Sequence, residues 1–337
     1  MKPRAFPFFL SYAGGIAIFI GAVWAAVAAS LPTVQRLANG EALIQQTTTA
    51  GQYYRVEASS DLQSWTPLVT LLSAGLLQHT DAAGPYFPKR FYRIASLTGT
   101  PLTGDHFQTS AGEVIIHPVN HASFVMSWSG KMIYVDPVPI TPSPYTSLPK
   151  ADLILVTHNH SDHYNVGTLS AQLNAGGKIV CPNSVYTAGP FAGLVGSAIL
   201  MKTGQTPSSN NTPPQTVIGL TIEGVPAYNT SGTIYHTLGT CNAYVLTIGD
   251  KRIFISGDTG STPEMRALPN IDAAFVCMNI PFTMDIATAA SVVRAFRPRI
   301  VFPYHYRNSD NSLADLVSFK QQVGTDLGIE VRSRTWY

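Results

Sequence analysis

The stretch THNHSDHYN, Thr157–Asn165, places three histidines and an aspartate within seven consecutive residues. It follows ADLILV (Ala151–Val156), an apolar run that reads as a strand buried on both faces. Two readings compete here. One is a polar loop that happens to hold imidazoles. The other is a metal site, because neutral imidazole and carboxylate are the usual nitrogen and oxygen donors for Zn²⁺ and related ions. Alternate residues of an extended segment share a side, so His158 and His160 project together. Asp162 and His163 lie past the turn, where they can face a second ion.

Working outward, the same arrangement recurs. KMIYV runs into Asp136, RIFISG into Asp258, and RIVFPY into His305. The C-terminal ends of strands gather at one edge of a sheet, and ligands bind there. A bland polar loop offers no reason for that placement to repeat at separate strand ends. GEVIIHPV, SFVMSW, VIGLTIEGVPA and NAYVLTIGD read as further strands. VGTLSAQL and SVYTAGPFAGLVG read as helical segments. TAASVVRAFRP has helical spacing and stops at Pro298, and SLADLVSFKQQVG has a serine–aspartate start and a glycine stop. Strands and helices in this order predict two β layers with helices packed outside. No HExxH pattern is present, which excludes a thermolysin-like site, and no GxSxG pattern is present either.

The 337 residues are 45% hydrophobic and only 12% charged, with 27 glycines and 24 prolines. That balance predicts a loop-rich β protein with a full core and room for two domains. A net charge of +2 with no basic stripe excludes a nucleic-acid partner. Cys181, Cys241 and Cys277 are widely spaced beside apolar runs and read as small buried hydrophobes. At the N-terminus, Lys2 and Arg4 precede a long apolar run ending in small residues. Residues 1–30 therefore read as a signal peptide or an uncleaved membrane anchor, which predicts an extracytoplasmic protein: periplasmic, secreted or tethered to a membrane. Residues 40–97 read as a small all-β module, with QYYRVEASSDLQSWTPLVTLL opening it and KRFYRIA closing it. It loosely resembles the fibronectin-like β-sandwich modules of secreted bacterial proteins. A Thr/Gly/Pro linker over 98–111 then leads into a catalytic domain over 112–337.

From about Gly112 onward, these residues carry a resemblance. His158-x-His160-x-Asp162-His163 after an apolar strand looks like the signature of the metallo-β-lactamase superfamily. Gly257-Asp258-Thr259 and FPYHY (Phe302–Tyr306) resemble its later elements. NHASFVMSWSGKMIYVDP (Asn120–Pro137) and PFTMDIATAA (Pro281–Ala290) resemble the branch that holds ascorbate-phosphate lactonases and N-acylethanolamine phospholipases D. The resemblance implies a four-layer αββα fold, an α/β architecture preceded here by the β module. It also implies two divalent metal ions, zinc first, with manganese or iron as alternatives. His158 and His160 would bind one ion, Asp162, His163 and His305 the other, and Asp258 would bridge them. The third histidine of the first ion would be His236, the one histidine between the cluster and Asp258, although the family often places it directly after the VPA strand, where this chain has Tyr228-Asn229.

Other readings stand beside these. Asp258 could cap a helix opening at GDTGSTPEM. His305 could be a core histidine between tyrosines, and His236 could point away. His121 could lie just behind the ligands or simply end a strand, and Asp136 could orient a ligand or cap a turn. Tyr304 and Arg307 could hold a substrate carboxylate or phosphate, or pack. The expected activity is that of an exported metal-dependent hydrolase in which a metal-bridging hydroxide attacks a lactone or another ester, with Asp162 and Asp258 managing the proton. A phospholipase D-like phosphodiesterase, a β-lactamase and a non-catalytic surface or binding protein are the alternatives. The expected partner is a small-molecule ester, lactone or phosphodiester, with membrane association through the N-terminal segment.

Overall fold

The computed structural model describes residues 9–13, 16–20, 31–205 and 208–337. The segment read as a signal peptide or anchor, 1–30, lies mostly outside the described residues; within it only the backbone of the paired strands Phe9–Ala13 and Ile16–Ile20 is described. Among the described residues no helix is long and apolar enough to cross a membrane. The chain divides into two compact units, one formed by 1–107 with 115–117, the other by 108–114 with 118–337.

In the first unit, strands Thr33–Arg36, Ala42–Thr47 and Leu76–Asp81 form a three-stranded antiparallel sheet. Tyr53–Ser59 pairs antiparallel with both Thr66–Leu72 and Arg90–Leu97. Ile44, Val56, Ala58, Val69, Leu77 and Tyr92 from these strands close into one apolar core. The residues read as a linker are not all irregular: Gly104–Thr109 is a strand, and Asp105 and Gly104 pair with Val69 and Thr70. Long-range pairing to an open strand edge overrides the turn-forming composition there.

The second unit carries the sequence of elements predicted above. Strands Lys131–Val135, Ala151–Leu155, Leu173–Cys181 and Ala198–Leu200 run parallel, with Ser123–Trp128 antiparallel at one side. A seven-stranded sheet begins with the antiparallel strands Gln215–Val217, Leu220–Ala227, Cys241–Ile248 and Lys251–Ile255. It continues in parallel through Ala273–Cys277, Ile300–Tyr304 and Glu330–Val331. Parallel neighbours need crossover connections, and helices Ile286–Phe296 and Leu316–Val323 supply two of them. The first of these is capped by Asp285, whose side chain accepts from the Thr288 N–H. It buries Ala289, Val292, Val293 and Phe296, and it stops before Pro298 with Arg297 in the left-handed region.

The two sheets face each other through aromatic rings. Phe124 stacks on Phe275 at 4.2 Å, and Tyr304 and Trp336 meet Phe124 edge-on. On the outside, Phe296 packs edge-on against Phe254 at 5.8 Å. On the opposite flank, Leu169 of helix Val166–Gln172 is buried. The result is the four-layer helix–sheet–sheet–helix α/β architecture, together with a small antiparallel sheet in the N-terminal part. Cys181, Cys241 and Cys277 are buried free thiols.

Candidate metal centre

Two residues past strand Ala151–Leu155 lies Thr157, whose N–H and hydroxyl both donate to the buried Asp136 carboxylate, at 2.8 and 2.7 Å. A tight turn follows, with the N–H groups of His163 and Tyr164 both donating to the His160 carbonyl. Asn165 then caps helix Val166–Gln172 by accepting from the Thr168 N–H at 2.9 Å. This turn brings His163 back to the cluster, its ring 4.1 Å from that of His158.

Three groups of donor atoms result, each within 4.8 Å of one another: His158, His160 and His236; His158, His163 and Asp258; and His121, Asp162 and His305. The rings of His158 and His160 lie 4.5 Å apart, and His236 lies 5.0 and 4.9 Å from them. His163 Nε2 sits 3.0 Å from His305 Nε2 and 3.3 Å from Asp258 Oδ1, which is in turn 3.1 Å from His305 Nε2. Asp258 Oδ2 faces His236 Nε2 at 3.5 Å. Asp258 thus stands between the two histidine groups.

Asp258 follows strand Lys251–Ile255 and Gly257, whose φ is +56°; a Cβ at 257 would meet the Thr157 Cβ at 2.8 Å. The neighbouring helix, Pro263–Arg266, takes Thr262 as its cap, so Asp258 is free of that duty. His305 follows strand Ile300–Tyr304, also with positive φ. His236 rides on a loop instead. Asn229 Oδ1 accepts the N–H groups of Tyr235 and His236 at 2.8 and 2.7 Å, and Asn229 Nδ2 donates to the Phe282 carbonyl at 2.8 Å. One side chain therefore fixes the turn that brings the distant histidine back.

Hydrogen-bond directions define which nitrogen each ring presents. Carboxylates only accept, so His163 Nδ1–H donates to Asp136 Oδ2 at 2.8 Å and turns Nε2 toward the cluster. The Thr157 hydroxyl spends its proton on Asp136, so it accepts from His158 Nδ1–H at 3.1 Å, and His158 Nε2 also faces inward as a lone pair. His158 Nε2, both ring nitrogens of His236 and Asp258 Oδ1 are buried with no hydrogen-bond partner. Polar atoms buried without a partner are costly. Burial pushes the His158 and His236 imidazoles down toward neutrality. Burial opposes charge on His163 and His305 too, but Asp258 outweighs it, with Asp136 aiding at His163 and Asp162 at His305, so both stand above the ordinary imidazole value. The local field calls for positive charge where these nitrogens converge, and a divalent cation fits that donor set.

His158, His163, His236, Asp258 and His305 are buried, whereas His160 is exposed and the Asp162 side chain is 44% exposed. The cluster opens to solvent on that side. Beyond His305, whose carbonyl accepts from the Met278 N–H, Met278, Ile280, Met284 and Asn308 line a cavity of about 290 Å³. His121 Nε2 lies 3.2 Å from Asp162 Oδ2. Tyr304, read as a substrate contact, is fully buried among Phe124, Phe275 and Trp336, and the Arg307 guanidinium lies over the Tyr337 ring at 4.2 Å. Thr157, Asn229 and Tyr337 are additions from the structure. Tyr337 meets His121 from the far end of the sequence, and the contacts of Thr157 with Asp136 and of Asn229 with the His236 loop follow no periodic pattern.

A four-layer domain with histidines and aspartates converging at its strand ends defines the β-lactamase-fold class. Residues 116–305 match the β-lactamase superfamily domain, Lactamase_B_3, and the chain belongs to that family. It is 31% identical over 217 residues to a UPF0173 metal-dependent hydrolase of Pyrococcus abyssi, an alignment covering 61% of this chain and 90% of the relative. A second UPF0173 metal-dependent hydrolase, from Aeropyrum pernix, is 31% identical over 219 residues, covering 61% of this chain and 87% of the relative. The crystal structure of a metal-dependent hydrolase from Parabacteroides distasonis superposes with a TM-score of 0.58 at 34% identity, over 69% of this chain and 99% of that one. The metallo hydrolase Igni18 of Ignicoccus hospitalis shares the fold, with a TM-score of 0.52 at 24% identity over 65% of this chain and 94% of that one.

Proposed function

We propose that this chain is a metal-dependent hydrolase with a two-ion centre that cleaves a lactone or another carboxylic ester. In this reading His158, His160 and His236 hold one ion, Asp162, His163 and His305 hold the other, and Asp258 lies between them. The observation that carries it is the convergence of unpartnered, buried imidazole nitrogens on Asp258. The relatives named as metal-dependent hydrolases support it further. Imidazole and carboxylate donors suit zinc, with manganese and iron as alternatives.

When bound, divalent ions lower the pKa of water toward neutrality and polarise a carbonyl or phosphoryl oxygen. The chain's own residues do the rest. Asp136 and Thr157 hold His158 and His163 with their Nε2 atoms turned inward. The buried members keep bulk water from the core of the cluster, and the open face beside His160 and Asp162 admits substrate. Asp162, in contact with solvent, is placed to receive a proton from the attacking water and pass it outward. The likeness of Asn120–Pro137 to the lactonase branch supports a lactone or ester as substrate. The charged and apolar stretch over residues 1–30 supports export or membrane anchoring as part of the same proposal.

Elemental analysis of the purified protein, followed by a panel of lactones, carboxylic esters, phosphodiesters and β-lactams, tests this. Bound metal with lactone or ester turnover is the expected result. Turnover of phosphodiesters alone would move the assignment to a phosphodiesterase. A protein with neither metal nor hydrolytic activity would overturn the enzyme reading in favour of a binding role.

A further inference from the structure

We propose that Tyr337 is a positioning residue for the metal centre: through a directed chain of hydrogen bonds it holds His121 in the tautomer that donates to Asp162. The chain joins segments remote in sequence. The Arg307 N–H donates to the Tyr337 hydroxyl oxygen at 3.1 Å. Tyr337 Oη lies 2.9 Å from His121 Nδ1, and His121 Nε2 lies 3.2 Å from Asp162 Oδ2.

The direction follows from proton inventory. An ionised carboxylate accepts only, so the hydrogen bond to Asp162 requires a proton on His121 Nε2. In the neutral ring Nδ1 then carries a lone pair and accepts. The Tyr337 oxygen already receives the Arg307 N–H, and its own proton goes to His121 Nδ1. Every group is satisfied in one arrangement, and reversing any link leaves two donors or two acceptors face to face.

This arrangement separates two roles for His121. Its Nε2 lies within 4.8 Å of donor atoms of Asp162 and His305, so by position alone it could be a further ligand. With the proton on Nε2 it has no lone pair to offer, and its role is to orient Asp162. That role matters because the Asp162 side chain is 44% exposed, and the oxygen His121 engages is the one 3.5 Å from His305 Nε2 and 3.6 Å from His163 Nε2. The surroundings hold the relay in register. The His121 N–H donates to the Trp336 carbonyl, the His305 N–H donates to the His121 carbonyl, and the Arg307 guanidinium and Tyr306 ring brace the Tyr337 ring.

The inference rests on the two-ion reading above, and its test keeps the two apart. Metal-free wild-type protein is titrated with Zn²⁺ by calorimetry beside Tyr337→Phe, which keeps the ring and removes the hydroxyl. Asp162→Ala identifies the binding event on that side. Tyr337→Phe is expected to weaken that event by about tenfold or more, the loss typical when the partner behind a ligand is removed, and to leave the other unchanged. His121→Ala should weaken it similarly, His121→Gln, which retains an N–H donor, should recover part of the loss, and Tyr337→Phe should add nothing in the His121→Ala background. Nitrogen-15 spectra of labelled histidine should show the Nε2–H form of His121 in wild type and a mixture in Tyr337→Phe. Wild-type affinity for both ions in Tyr337→Phe, or additive losses in the double variant, would overturn the relay alone. A wild-type protein that takes up none of Zn²⁺, Mn²⁺ and Fe²⁺ would overturn the two-ion reading and the relay with it. If Tyr337→Phe does not fold, the wild-type tautomer decides: Nδ1–H on His121 refutes the proposal.

Discussion

The two sides of the centre are built by different means. Asp162 and His163 lie in the capped turn that follows strand Ala151–Leu155, and Asp258 and His305 sit just past the ends of strands Lys251–Ile255 and Ile300–Tyr304, whose side chains are mostly buried. Their positions are set by sheet hydrogen bonding and by core packing that extends far beyond the site. His158 and His160 share the first of those strand ends, but His236 arrives on the loop that follows strand Leu220–Ala227. Nothing in the sheet directs that loop inward; Asn229 does, by binding two of its N–H groups and the Phe282 carbonyl at once. A strand end inherits rigidity from the sheet, whereas a loop needs a dedicated clamp. The two sides should therefore fail in different ways.

Substituting the shared residue should erase the difference. Asp258→Ala is expected to cost several kcal/mol of transition-state stabilisation, or about a thousandfold or more in kcat with the best substrate, because it unsettles both sides. His236→Ala should instead cut bound metal from two ions to one, read by elemental analysis, with the Asp162 side still binding. Loss of activity in His158→Ala with full activity in His236→Ala would show that the loop side is assigned to the wrong histidine. Asp136→Asn probes the strand side. Asp136 accepts from Thr157 twice and from His163, so its replacement should weaken metal affinity by about 10–100-fold, measured by competition with a chelating dye. The smallest effect should come from Asn229→Ala, about tenfold and confined to the His236 side. Asn229→Asp, which keeps the oxygen that accepts both N–H groups, should restore most of it. An Asn229→Ala loss spread equally over both ions would break the contrast between strand-borne and loop-borne ligands.

Legibility in the sequence follows the same division. Apolar runs ending in His158, Asp258 and His305 announce strand-borne donors, because burial on both faces leaves a pattern that can be read residue by residue. Helix Ile286–Phe296 is equally readable from its spacing and Pro298. The strand at Gly104–Thr109 is not, because threonine, glycine and proline mark a turn locally while the pairing with Val69 and Thr70 is decided elsewhere in the chain. Tyr304 suggests a substrate contact by adjacency to His305, yet consecutive residues of a strand face opposite sides, and its ring belongs to the aromatic core. Asn229 and Tyr337 act through partners with no periodic relation to them, and only the folded chain reveals what they hold.

The three buried cysteines carry a consequence of a different kind. Cys181 ends a strand of one sheet, and Cys241 and Cys277 lie on strands of the other. Burial pushes each thiol up to about 12. At neutral pH only ~1 in 10⁵ of such groups is the reactive thiolate, and none is within reach of a reagent in water. Alkylation must wait until a sheet opens. The rate at which each cysteine becomes labelled is therefore a clock for the opening of its own sheet, built into the chain without any added probe.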